Sequence, residues 1–435
     1  MNQVPATVVQ IRKAQDVRGL CVLLVINAVV PYRSIPRILD LLRARMTCVG
    51  GWLPHFTSVI NWTLRLGLGL LKQVKPVCES WVAIMDHSID IGTKKALVVL
   101  RVPMDALVKR GSAIQLQDCE CIGVTVSEKA NGENIAIDLE NIFCQAGRPA
   151  AIIKDRDYTL QKGVRLYIKK QMVEIPVVED IGHVVASALR DQFEKTSGYK
   201  QFATLISHAA KRLRQTNMAF LIPPKLRTKG RFQSISTLGK WANKMLEVLG
   251  VKGRAKKGSE LARLRAALPG FARLKPFIKE FANTTAIASK VMEVLKNRGL
   301  NRLTHEQCSQ LADQLPLNCK VKARLKTWLQ HHIEIQTKLT PLPLLVSSDI
   351  IESLFGRFKH AIERSPQADM NRTTLLIPAL CGRLDETKIA QALILARHND
   401  LKIWEEQAIP YTVRKKRQAF FGKNEIQKPG NLESA

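Results

Sequence analysis

The sequence predicts an α/β protein: a mixed sheet with flanking helices, preceded by a helical region and interrupted by a large helical insertion. Three observations predict it. Apolar runs of strand length cluster between residues 81 and 180, and in the later part they alternate with segments of helical spacing. Residues 1–75 and 196–345 read as helices throughout. Charge is also uneven: 67 Lys and Arg against 37 Asp and Glu give the 435 residues a formal +30. Of this, +21 lies in residues 196–345, where 28 Lys and Arg stand against seven Asp and Glu.

Taken in order, "GLCVLLVINAVV" (19–30) is too short to span a bilayer and lies too far behind a polar start for a secretory signal. It reads as a buried helix of a cytoplasmic protein. "VPYRSIPRILDLLRAR" (30–45) has helical spacing, with Ser34 before Pro36 as a start signal. After the Gly50-Gly51 turn, "PHFTSVINWTLRLGLGLLKQ" (54–73) is a further helix. Short helices, a turn and a helix carrying Ser, Asn and Arg suggest a helix-turn-helix-like DNA-binding region over 1–75; small bundles without DNA contacts look the same.

From Trp81 the spacing is that of strands. "WVAIMDHS" (81–88) and "KKALVVLRV" (94–102) flank a turn containing Gly92 and predict a hairpin, and "ECIGVTV" (120–126) a third strand. "GENIAIDLENIFCQAG" (132–147) is a helix with a glycine stop, "PAAIIKD" (149–155) a buried strand, "TLQKGVRLYIKKQ" (159–171) a helix, and "VEIPVVED" (173–180) a last strand. The predicted divisions are 76–195 and 346–400 for the two parts of the sheet domain, 196–345 for the insertion and 401–435 for a basic tail.

Nine cysteines form no CxxC pair, which excludes zinc-ribbon and finger spacing and fits reduced thiols. The excess of positive charge points to a polyanionic partner. The insertion supplies the candidate phosphate contacts: Lys211, Arg212 and Arg214; Lys225, Arg227, Lys229 and Arg231; Lys252, Arg254, Lys256 and Lys257. Arg357 and Lys359 add to them on a later helix.

The acids form an ordered set. Asp86 follows an apolar run on the first strand and Asp155 follows "AAII" on a later one, where an open α/β sheet delivers side chains to the crevice at its strand ends. In "SSDIIESLFGRFK" (347–359), Ile350, Ile351, Leu354, Phe355 and Phe358 form one apolar stripe, with Glu352 just off its edge between Ser348 and Gly356. Glu352 beside Asp86 and Asp155 would make three crowded carboxylates, which call for divalent cations. Oxygen-only ligation suits two Mg²⁺ or Mn²⁺ ions acting on a phosphodiester. Local readings compete: Asp349 and Glu352 resemble a capping box, Asp157 rivals Asp155 as second ligand, and Asp180 with His183 either orients substrate or caps a helix.

"WVAIMDHSIDIGTKKALVVLRV", "AAIIKDRDYTLQKGVRLY", "VVEDIGHVVASALRDQF" and "SSDIIESLFGRFKHAIE" together resemble the successive motifs of a DDE transposase of a bacterial insertion sequence. The resemblance runs from about residue 25 to about 380. It implies an RNase H-like catalytic domain and Mg²⁺-dependent cutting and joining of the ends of a mobile element. Asp86, Asp155 and Glu352 then match the three acids, "EDIGH" (Asp180 and His183) matches a family segment with Asp and His, and the basic block takes the place of an insertion domain. The sequence departs from the family pattern after the second acid, where "RDYT" follows Asp155. The resemblance also implies double-stranded DNA as partner, a homo-oligomer on DNA and nucleoid association, with no membrane. Rival readings are an RNase H-like nuclease without strand transfer, a non-catalytic DNA-binding protein derived from a transposase, and a basic RNA-associated protein.

Overall fold

The computed structural model describes residues 14–45, 52–75, 80–91, 94–127, 130–226, 232, 235–251, 253–339, 343–362, 371–409 and 412–425. The Gly50-Gly51 and Gly92 turns, Arg227, Lys229, Arg231 and Lys252 lie outside these residues.

In chain order the helices α1 (Ala14–Ile26), α2 (Ile35–Arg45) and α3 (Phe56–Lys72) precede a hairpin of β1 (Trp81–Ile91) and β2 (Lys94–Pro103). Then come α4 (Met104–Arg110), β3 (Glu120–Ser127), α5 (Gly132–Ala146), β4 (Ala151–Lys154), α6 (Tyr158–Gln171) and β5 (Val177–Glu179). Among the described residues seven helices follow: α7 (Ile181–Phe193), α8 (Ser197–Leu213), α9 (Ser236–Leu249), α10 (Glu260–Ala267), α11 (Lys275–Arg298), α12 (Arg302–Asp313) and α13 (Lys320–Leu339). The chain returns through α14 (Asp349–Ile362), α15 (Leu376–Ala379), α16 (Glu386–Leu395), α17 (His398–Ala408) and α18 (Val413–Glu425). The strand order is β3-β2-β1-β4-β5. β2 is antiparallel to both β1 and β3, whereas β1 and β4 are parallel, so the sheet is mixed.

The chain divides into two compact units. Unit 1 comprises residues 1–106, 114–175 and 348–435, and unit 2 residues 107–113 and 176–347. Unit 2 takes in the segment 196–345 together with β5, α7 and residues 107–113.

In unit 1, β1 from Trp81 to Met85 and most of β2 are buried because apolar residues occupy both faces, as a central strand requires. α5 packs on α6, and α14 packs on β1. α3 is no surface helix. Val59, Trp62, Leu64, Leu66, Leu68 and Leu70 are all buried, and α15, α16 and α17 pack on it. Its glycines explain how. A Cβ on Gly67 would stand 1.6 Å from the Leu375 carbonyl oxygen, and one on Gly69 would stand 2.0 Å from that of Ala392. Only glycine lets the backbones approach so closely. The helical region read as a DNA reader thus contributes a core helix to unit 1, apolar except along one stripe of Thr57, Ser58, Asn61, Arg65 and Lys72.

In unit 2, amphipathic helices enclose a core of aromatic rings. Phe193, Tyr199, Phe202, Phe277 and Phe281 meet edge-on, tilted or stacked at 5.2 to 6.4 Å between centroids.

Candidate active site

The sheet carries two of the three candidate acids to one place. The parallel register of β1 and β4 pairs Val82 with Ala151 and continues to Met85 opposite Lys154. Asp86 is the next residue on β1, which runs on to Ile91 against β2, and Asp155 is the first residue past β4, so the two acids lie side by side in register where the β1–β4 pairing ends. Both are half-buried. Asp86 Oδ1 accepts the His87 N–H at 2.7 Å, and Asp155 Oδ1 accepts the Asp157 N–H at 2.9 Å. Each carboxylate is thus steadied by a local backbone donor.

Asp157 stands apart from Asp155 in its surroundings. It is the N-cap of α6, accepting the Leu160 N–H at 3.0 Å and the Thr159 hydroxyl. Burial pushes its carboxyl up. The Thr159 and Leu160 hydrogen bonds, with the charges of His87 and Lys95, outweigh this and hold it below the ordinary aspartate range.

Two residues here escaped the sequence reading. His87 has a side chain only 8% exposed, with Nδ1 3.9 Å from Asp157 Oδ1. Lys154 is 2% exposed, and its Nζ donates to the Asp155 carbonyl at 3.2 Å. The signal was present in the sequence: each adjoins a candidate acid, and a lysine inside the apolar run "AAIIK" needs a local partner.

Glu352 lies on α14, whose Ile351, Leu354, Phe355 and Phe358 form the buried face, with Ile350 half-buried at its edge. The helix starts at Asp349, and the Ser348 carbonyl accepts the Ile351 N–H at 2.9 Å. Ser348 therefore precedes the helix and Glu352 is its fourth residue, one position out of step with an Asp349 capping box. At 100° per residue, Glu352, Gly356 and Lys359 share one exposed flank. Around Gly356 a Cβ would meet nothing within 4 Å. Arg357 lies on the other flank, where it lines a cleft of about 770 Å³ with Asp349 and Ser353. Among the described residues, no three His, Cys, Asp or Glu side chains gather as a metal-binding group.

Asp180 and His183 belong to unit 2. Asp180 is 1% exposed and caps α7, accepting the backbone N–H of His183 at 2.8 Å. The capping alternative for this pair is the one the geometry carries. Of the candidate phosphate contacts, Lys211, Arg212, Arg214, Lys225, Arg254, Lys256 and Lys257 are exposed, as are Arg357 and Lys359. Arg212 also donates to the Ala266 carbonyl at 2.8 Å.

The donor chemistry fits a hard divalent cation. Asp86 and Asp155 offer half-buried carboxylate oxygens, and Mg²⁺ is commonly held by one or two carboxylates completed by water and substrate phosphates.

No protein-family model matches the chain, and no curated protein does. Among solved structures it is similar to one described as the Drosophila P element transposase strand transfer complex. That likeness has a TM-score of 0.45 and 11% identity, over 91% of this chain and 97% of the other. A likeness at this level carries no argument about activity. Among the described residues, no helix is long and apolar enough to cross a membrane.

Proposed function

We propose that the protein is a DNA transposase with an RNase H-like catalytic domain of the DDE type, acting on the ends of a mobile element with Mg²⁺ or Mn²⁺. The observation that carries the reading is the parallel register of β1 and β4, which sets Asp86, within β1, beside Asp155, just past β4. Parallel neighbours fix both acids without a loop between them, as a preorganised site requires.

In this reading Asp86 and Asp155 hold the metal, and Glu352 on the exposed flank of α14, not gathered with them in this structure, joins the set when DNA and metal bind. When bound, the ions supply activation of the attacking oxygen and neutralise charge on the leaving oxygen. His87 and Lys154 act as positioning residues: His87 steadies Asp157 at the head of α6, and Lys154 fixes the backbone at Asp155. The exposed cations of unit 2 hold the DNA by its phosphates, a contact that is strong and indifferent to sequence. An RNase H-like nuclease shares all of this and differs only in omitting the joining step.

The test uses the full chain, Mg²⁺ and duplex DNA carrying the sequences that flank its own gene. Wild type should cut and, given pre-cut ends, join them; cutting without joining would favour the nuclease. Asp86→Asn and Asp155→Asn should each lose cleavage by about a thousandfold or more while still binding DNA, since an amide keeps the size but not the charge that holds a hard cation. Glu352→Gln should do the same. If both aspartate variants cut at the wild-type rate, the proposal fails. If only Glu352→Gln does, the third ligand lies elsewhere.

A further inference from the structure

A second cleft in unit 1, of about 650 Å³, is bounded by α1, α3 and α16 and contains Arg18, Arg65 and Arg397. Its one acidic lining residue is Glu386; Ile389 and Ile394 form part of an apolar wall. Three guanidinium groups around one cleft repel each other unless something anionic lies among them.

The protein itself supplies little of that compensation. Arg65 Nε and Nη2 donate to the Ala396 and Leu393 carbonyls at 2.7 and 2.6 Å, which anchors the side chain without neutralising it. Burial, with the nearby charge of Arg18, pulls the Arg65 pKa down, and Asp400 only partly offsets this. Asp400 is itself shared with Lys72 at 3.0 Å. The Arg18 guanidinium lies 5.7 Å from the Trp62 ring centroid, and its Nε is buried with no hydrogen-bond partner. A buried charged donor left unmade is costly, so its retention asks for an acceptor that arrives from outside.

We propose that this cleft is a phosphate-binding site, with Arg18, Arg65 and Arg397 as its ligating residues. Arginine forks match the oxygens of a phosphate, and a buried Nε gains an acceptor when one enters. The phosphate is either a free anion or a group on a nucleic-acid strand. The site uses neither Asp86, Asp155 nor Glu352, and the proposal stands whatever those acids do.

The experiment titrates full-length protein with inorganic phosphate against chloride at matched ionic strength, following heat and melting temperature. Arg18→Gln and Arg397→Gln are the variants; Arg65 is left intact because its bonds to two backbone carbonyls hold the fold. Wild type should bind phosphate and melt higher in it, and each variant should bind about tenfold more weakly, the loss of one charge-assisted bond. A second arm measures the salt dependence of binding to duplex DNA with and without a 5′-phosphate. A slope smaller by about one in the Arg397 variant places a strand's phosphate in the cleft. Weaker phosphate binding with unchanged DNA slopes means a free anion is the ligand. Unchanged phosphate affinity in both folded variants, with unchanged slopes, overturns the proposal. So does a wild type that shows no phosphate binding in either arm.

Discussion

The two units treat positive charge in opposite ways. Unit 2 contains 32 Lys and Arg against 11 Asp and Glu, a net +21, and unit 1 contains 35 against 26, a net +9. Yet among the described residues the buried cations, Lys75, Lys94, Arg101 and Lys154, all belong to unit 1. Unit 1 buries charge in and beside its sheet, and Glu120 compensates Lys75 and Arg101 there. Unit 2 keeps its core aromatic and, among the described residues, buries none of its Lys or Arg side chains. A surplus of buried charge holds a site in shape, whereas a surplus at the surface attracts a polyanion.

The contrast is broken first by disturbing the unit 1 core. Gly67→Ala sets a methyl group 1.6 Å from the Leu375 carbonyl oxygen, a clash with backbone that no rotamer relieves. We expect a loss of about 3 kcal/mol or more, or failure to fold, measured by denaturant unfolding. Gly356→Ala, with nothing within 4 Å of the new carbon, should be neutral or slightly stabilising.

Next in size is the enclosed charge cluster. Glu120 bonds Arg101 and lies 3.1 Å from Lys75, whose Nζ also donates to the Leu70 carbonyl at 2.6 Å. Burial pushes the Glu120 carboxyl up, but Lys75 and Arg101 together hold it below the usual glutamate range. Glu120→Ala would leave two buried cations without their anion, at a cost of about 3 kcal/mol in a melt. Its folded pKa is depressed, so the stability it confers is present above the normal glutamate range and is lost as the pH falls through the folded value.

How far the sequence revealed this division depends on the distance of the partners. The hairpin 81–102, the strand at 120–127 and the helices flanking 151–154 were legible because the pattern of each lies within the segment itself. Glu352 was legible as a helix-edge carboxylate, and helical spacing alone parts Arg357 from Lys359. The packing of α3 was not legible. The carbonyls that demand its glycines come from Leu375 and Ala392, some 300 residues on. Nor was the Arg18, Arg65 and Arg397 cleft, whose members come from three separate helical segments. The strand read over 173–180 shrinks to Val177–Glu179 in the structure.

Surface charge gives a milder test. Replacing Lys211, Arg214, Lys256 and Lys257 of unit 2 together by Gln should reduce the salt slope of DNA binding by about three, close to one per lost phosphate contact. Melting should hardly change, because all four are exposed. Neutralising Arg165, Lys169, Lys402 and Arg417 of unit 1 should alter the slope by less than about one. Equal effects from the two sets would erase the distinction between the units.

The smallest effect at neutral pH, and the sharpest probe of unit 2 alone, concerns His332. Its Nδ1 bonds the Trp328 carbonyl at 2.8 Å, so that nitrogen carries the proton, and Nε2 accepts the Glu179 N–H at 3.1 Å. Trp328 donates its indole N–H to the Glu179 carbonyl at 3.0 Å, so two side chains of α13 satisfy the backbone of one β5 residue. Burial lowers the His332 pKa to about 4, from the ordinary histidine value of 6.5. A proton on Nε2 would face the Glu179 N–H and undo the bond. Above about 6.5 both folded and unfolded chains keep this imidazole neutral, and it contributes nothing to the pH dependence. Between about 6.5 and 4 only the unfolded chain takes up the proton, so stability should fall as the solution is acidified, then level off below 4. His332→Gln keeps an acceptor for Glu179 without a titrating group. Melting temperatures of the two proteins across that range should converge at low pH, with the variant's profile flatter through the window. Parallel profiles would mean that the imidazole already ionises in the folded state and that α13 holds β5 by Trp328 alone.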